Sequence, residues 1–371
     1  MPIAPSKIAA ATDHRPEFSL AQARSIVGEF FRPVEWIYWT DFLVSWSVAV
    51  IAFGLVRGPG IDWPWRVVCF LVSSLLMYRC GLFIHELMHI PEEKLRSFRV
   101  VWNLLCGIPF LIPSFVYYTH VDHHRRKHYG TKEDGEYLPL SNRSPWWIVG
   151  YFAQSFVIPI LAIVRFGILT PLTWLSTPTR DWVHRHASSM IIDPMYLRPL
   201  PTKQTLRIIR WQELGCFLFI VVMSIGVFRG LAYGTGRLGP WFLPHAYATG
   251  VFVVTINALR TLGAHRWLNN GGEMSFVEQM LDSVTYDRRP LLTGLWAPVG
   301  LRFHALHHIF PSMPYHAMAE AHRRLMRDLP SDSPYRKTVS TSLWNELSAL
   351  WRRAKGSVGS TTSPTAHPAS P

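Results

Sequence analysis

The chain has 371 residues, of which 49% are hydrophobic, 13% aromatic and only 16% charged, with 16 tryptophans. An average soluble chain carries roughly 25% charged residues, so this composition excludes a disordered protein and argues against an ordinary soluble enzyme. A net charge of +13 with no soluble basic module points to a membrane surface and to no nucleic-acid partner.

Residues 1–34 lack the basic-then-apolar pattern of a secretory signal and read as an N-terminal cytosolic segment. Crossing roughly 30 Å of hydrocarbon at 1.5 Å per residue takes about 20 apolar residues. Trp36–Val56 and Trp65–Ile84 satisfy this and are joined by RGPGIDWP. Trp211–Tyr233 and Trp241–Leu262 form a second pair, joined by GTGRLGP. Trp and Tyr at these ends suit the headgroup boundary. Between the pairs, Trp102–Tyr118 carries Pro109 and Pro113, and Trp146–Trp174 is broken by Pro159 and Pro171. Both read as interfacial or re-entrant, because a single extra crossing would place His265, after span four, opposite His85, at the end of span two. The expected fold class is therefore an all-α membrane protein with four transmembrane helices in two hairpins plus interfacial helices. Residues 331–355 read as a C-terminal cytosolic helix, and 356–371, GSVGSTTSPTAHPASP, as a disordered tail. The connecting loops hold Arg57 and Arg237, whereas the histidine-bearing segments hold Arg125, Arg126, Lys127, Arg288, Arg289, Arg323 and Arg324. Basic residues stay inside, so the histidine side and both termini are expected in the cytoplasm. The four cysteines, all in apolar stretches, read as reduced core residues.

Seventeen histidines are present, and they cluster. HELMH places His85 and His89 at i, i+4. HVDHH places His120, His123 and His124 at i, i+3, i+4, and HALHH does the same with His304, His307 and His308. These spacings put the rings of each cluster on one helix face. Chance would supply roughly 0.04 HxxHH matches in such a chain, and two occur. His265 follows span four directly. The nine together exceed what one tetrahedral zinc site takes and suit two metal ions with open positions. Iron is the natural candidate, since O₂ chemistry needs a redox metal; zinc, suggested by HELMH alone, would imply hydrolysis instead. Glu86, Asp122, His128 and His316 lie in or beside the clusters and are expected behind the metal-binding rings, where a carboxylate on the far ring nitrogen fixes the tautomer. His14, His184, His186, His245, His322 and His367 have no partner pattern and read as ordinary surface or interface residues.

In order and spacing, HELMH, HVDHH and HALHH with two span pairs resemble the membrane-bound fatty acid desaturase superfamily over roughly residues 35–330. Desaturases, acyl and alkyl hydroxylases and carotenoid hydroxylases or ketolases share these motifs. The resemblance implies a cytosolic helical cap holding two iron ions, with O₂ as co-substrate. The ligands it implies are His85, His89, His120, His123, His124, His265, His304, His307 and His308. It also implies a lipid or fatty acyl substrate from the bilayer and two electrons from a ferredoxin, rubredoxin or cytochrome b5 partner. No haem motif HPGG is present, so that donor is separate. Thr261 stands where stearoyl-CoA-type desaturases carry an Asn, and the first cluster is HxxxH rather than HxxxxH. Both departures weaken an acyl-CoA assignment and favour an acyl-lipid or other branch. The expected reaction is desaturation of an acyl chain, with hydroxylation or ketolation of an alkyl, sterol or carotenoid substrate as the alternative. A non-enzymatic metal- or haem-handling membrane protein is a third reading, and it would want polar residues at mid-span.

Overall fold

The computed structural model describes residues 18–91, 93–233 and 238–360, the last three of them by backbone alone. Residues 1–17, Arg237 and 361–371, with His14 and His367, lie outside the described residues. All named elements are helical; only three isolated β-bridges occur among the described residues.

Two long helices open the fold, α1 (Glu35–Leu55) and α2 (Trp63–His89). They close on an aromatic cluster in which Phe42 meets Phe83 and Phe98 edge-on at 5.8 and 5.4 Å. Half of the most apolar stretch of α2 is buried, against 17% for each of the last two long helices, so α2 is the enclosed helix of the set. Cys80–Leu87 are buried on every side, and this stretch carries the first histidine pair inward. The short turn α3 (His120–His123) follows, reached through a π turn at Asn103–Gly107 and a 3-10 turn at Ser114–Tyr117. Trp102–Tyr118 thus forms no long helix.

The stretch from Trp146 departs in part from the sequence expectation. Trp146–Ala153 is a short helix, and α4 (Ile158–Leu175) is long and apolar enough to cross a membrane. Its prolines do not stop it. Pro159 occupies the first turn, where its missing N–H has no helical partner to lose, and Pro171 follows a π turn at Val164–Leu169 that loosens the backbone it would otherwise strike. Five helices among the described residues, this one included, are thus long and apolar enough to cross a membrane, where four are expected from sequence. Before α4, Ser141 donates to the Arg266 carbonyl beside His265. Near its start, the Phe156 carbonyl accepts from Tyr247, about 18 residues or 27 Å of helix from His265. At its far end, Trp174 shares a cavity with Lys203. The last hairpin, α5 (Lys203–Tyr233) and α6 (Phe242–Ala264), then returns the chain to His265.

The cap is built around the extended segment 282–286, which runs between three others. Val284 N donates to the Ala264 carbonyl, Tyr286 N to that of Arg302 and Thr285 N to that of Thr338. α7 (Phe276–Asp282) begins with a reciprocal Ser275–Glu278 cap, and α8 (His304–Ile309) carries the third cluster. The turn before α8 needs Gly300 at φ +70°, where a Cβ would stand 2.8 Å from Met318 Sδ. α9 (Met318–Asp328) covers the cap core, and α10 (Leu343–Ser360) packs Leu350 against Trp267 and Leu262. Helix therefore continues past residue 356, where a tail was expected. Once nucleated on its buried face, a helix adds one bond per residue even through glycine. His184, His245 and His322 are buried, not surface residues.

Candidate metal centre

The nine clustered histidines converge into two groups. His85, His89, His120, His124 and His307 form one, and His123, His265, His304 and His308 the other; within each group one nitrogen per ring lies within 4.8 Å of every other. Helical spacing sorts them. In HVDHH the i, i+4 pair joins the five-membered group and His123 the four-membered one. In HALHH the assignment is reversed, with His304 and His308 in the smaller group and His307 in the larger.

The nitrogens are spaced as ligands of a common ion are. Nε2–Nε2 separations are 3.0 Å for His124–His120, 3.2 Å for His307–His124, 2.9 Å for His304–His265, 3.1 Å for His308–His304 and 3.2 Å for His123–His265. Two imidazole nitrogens at right angles on an ion at about 2.1 Å stand about 3.0 Å apart. Several ring nitrogens are buried without a protein partner, among them both of His85 and Nε2 of His89. A purely structural role leaves those groups unsatisfied, whereas a cation takes one nitrogen from each ring. Two metal ions thus fit the residues present.

Three carboxylates stand behind the rings. His120 Nδ1 donates to Glu136, both of whose oxygens lie 3.0 Å away, and Tyr117 donates to the same carboxylate while stacking on the His120 ring. His123 Nδ1 donates to Asp134 at 2.8 Å. Asp134 also accepts from the backbone N–H groups of Gly130 and Glu136, in a loop that turns at Gly130 with φ +69°. His265 Nδ1 donates to the Tyr129 hydroxyl at 2.9 Å, which donates to Asp282 at 2.7 Å. Tyr137 and the Leu268 N–H complete the shell of Asp282. A carboxylate at Nδ1 fixes the proton there and leaves the Nε2 lone pair facing the group.

Burial also keeps most rings neutral. It pushes His120, His124, His304, His307 and His308 well below the usual histidine range, with neighbouring histidines adding to the effect, and lowers His265 to about 4. His123 goes the other way: burial lowers it, but the charge and hydrogen bond of Asp134 outweigh that and raise it. Burial raises Glu136 to about 7. Burial also acts to raise Asp134 and Asp282, but His123 and His265 respectively hold both below the usual carboxylate value. Neutral imidazole is the metal-binding form.

The four residues expected behind the rings are placed elsewhere. Glu86 accepts from Tyr38 at 2.7 Å and from Tyr315 N at 3.2 Å, pinning the loop after α8 onto α1 and α2. Asp122 pairs with Arg125 and lies 3.3 Å from His128 Nδ1. His316 Nε2 accepts from Val34 N. None of these contacts is to one of the nine rings, because residues adjacent on a helix turn to different faces. Sequence reasoning missed Asp134, Glu136, Asp282 and Tyr129. The acidic KEDGEY run after HVDHH marked the first two, and nothing local marked Asp282.

A cavity of about 760 Å³ is lined in part by Trp146, Trp147, Tyr151, Leu138 and Ile192, and by none of the nine histidines. Ile192 and Asp193 donate their N–H groups to the Gly135 carbonyl, so its wall is bonded to the segment that carries Asp134 and Glu136.

Comparison with known proteins agrees with this centre. A family model described as fatty acid desaturase matches residues 61–339. A ceramide hydroxylase of Caulobacter vibrioides is 36% identical over 345 residues, covering 90% of this chain and 93% of that protein.

Proposed function

Because the chain belongs to the fatty acid desaturase family, we propose that it is an O₂-dependent membrane hydroxylase acting on a ceramide-type lipid. The similarity to a ceramide hydroxylase along nearly the whole of both chains carries this choice over the desaturation expected from sequence. Desaturation shares the first hydrogen abstraction and is the second reading, favoured by the family as a whole.

Two iron ions, held by five and by four imidazoles, would supply O₂ reduction and cleavage of an unactivated C–H bond. The balance for hydroxylation is R–H, O₂, two electrons and two protons giving R–OH and water, with the electrons from a separate ferredoxin, rubredoxin or cytochrome b5. The protein's own contribution is positional. Asp134, Glu136 and Asp282 hold their rings in one tautomer. The buried rings and the aromatic packing of Tyr117, Tyr129 and Tyr137 exclude bulk water. α2 leads from the bilayer to His85 and His89, and the Trp146–Tyr151 cavity gives the lipid its approach. The basic residues around the clusters favour a cytoplasmic centre.

The test is expression with a compatible reductase and donor in ceramide-containing cells under ¹⁸O₂, followed by lipid mass spectrometry. A ceramide gaining one ¹⁸O atom is the expected product. A product that has lost two hydrogens and gained no oxygen supports desaturation instead.

A further inference from the structure

We propose that the histidine-side end of α5 binds the headgroup of an anionic phospholipid. A cavity of about 660 Å³ is lined there by Lys203, Arg207, Arg210, Trp174, Trp211 and neighbouring leucines. The three cations stand at i, i+4 and i+7, so one helix face carries them all. No carboxylate lines the cavity, and none of the three cations has an ion pair or hydrogen bond with a described residue. Some other exposed cations are paired, as Arg125 is with Asp122 and Arg323 with Glu320, whereas Arg96, Arg288 and Arg289 are exposed and unpaired but do not line this cavity. The nearest acid along the helix, Glu213, is buried and already engaged by Arg165. Three like charges facing one concavity repel one another until an anion joins them.

Depth identifies the anion as a lipid's. α5 has 31 residues, about 46 Å of helix, where roughly 30 Å crosses the hydrocarbon. About ten residues are left over. The opposite end finishes at Tyr233, 72% exposed, which suits the other headgroup layer. The excess therefore falls at Lys203–Arg210. Trp174 and Trp211, 46% and 67% exposed, mark the same boundary from two helices. Leu206 and Leu214 continue the cavity wall along the lipid-facing side, so a phosphate held by the cations has its acyl chains beside apolar surface. This site is independent of the reaction assigned to the histidines.

The experiment is native mass spectrometry of the delipidated full chain with phosphatidylglycerol, phosphatidylcholine or glycerol phosphate added. Wild type is expected to retain one phosphatidylglycerol that neither alternative replaces. K203Q/R207Q/R210Q should lose at least tenfold in apparent affinity, and R207Q/R210Q, which keeps one cation, a smaller part. R96Q/R288Q/R289Q removes equal charge elsewhere and should bind as wild type does. Unchanged lipid binding in the double and triple variants, equal retention of phosphatidylcholine, equal binding of glycerol phosphate, or an equal loss in the control overturns the proposal. So does a triple variant whose only defect is capture of an acidic electron-donor protein.

Discussion

The two histidine groups draw on the same motif and are held in different ways. The five-membered group rests on two helical i, i+4 pairs, His85 with His89 and His120 with His124, and only His120 has a carboxylate behind it. The four-membered group has one such pair, His304 with His308. Its other two rings, His123 and His265, are each tied to an ionised carboxylate network. Where helical spacing supplies fewer ligands, long-range hydrogen bonds supply the orientation. The contrast predicts two inequivalent metal positions, one shaped by secondary structure and one by tertiary contacts.

Deleting a ligand should produce the largest effect. His123→Ala leaves three imidazoles in the smaller group and His307→Ala leaves four in the larger. Both are expected to lower turnover at least a hundredfold while the protein still inserts, with His123→Ala losing more bound metal. Metal analysis beside a lipid product assay checks this, and near-normal activity in either variant breaks the assignment. The carboxylates come next. Asp134→Asn and Asp282→Asn should each cost about 10–100-fold in metal affinity or activity. Glu86→Gln and Asp122→Asn touch none of the rings and should stay within about twofold for metal, although Glu86→Gln should lower thermal stability by loosening Tyr38 and Tyr315. A matching metal defect in Glu86→Gln would erase the distinction between the two sets.

Smaller effects sharpen the tertiary half of the comparison. Gly130→Ala puts a Cβ at φ +69°, 2.2 Å from Asn269 Nδ2. The left-handed backbone alone costs about 1–2 kcal/mol, so a drop of several degrees in Tm is expected, with weaker metal retention because Gly130 N–H caps Asp134. The smallest effect concerns pH. Burial, reinforced by Arg165 and Arg198, lowers His184 to about 4 against an ordinary 6.5. The unfolded chain therefore takes up a proton that the folded chain refuses as pH falls from about 6.5 toward 4. Stability from this group is complete above 6.5 and declines by about 1–3 kcal/mol across that window. His184→Gln should flatten the slope of Tm against pH there, and an unchanged slope would remove His184 from the account.

What the sequence made legible follows the same division. The ring clusters were readable because i, i+3 and i+4 are local, and four of the five long apolar helices because apolar length is local. Asp282 reaches His265 only after α6, the Trp267 turn and α7 have folded together, and no periodicity announces that. Glu86 and Asp122 were attractive by adjacency, but adjacent helical residues face different ways. The apolar character of α4 was legible. The length of its helix was not, because Pro159 and Pro171 fall where a first turn and a π turn accommodate them.

The most direct test of the central claim is iron quantification with Mössbauer spectroscopy on ⁵⁷Fe-loaded, membrane-extracted protein. Two irons per chain with two distinguishable signals, one of them selectively lost in His123→Ala, is the expected result. A single iron, a zinc-filled centre active without iron, or two irons whose signals respond identically to His123→Ala and His307→Ala would contradict it.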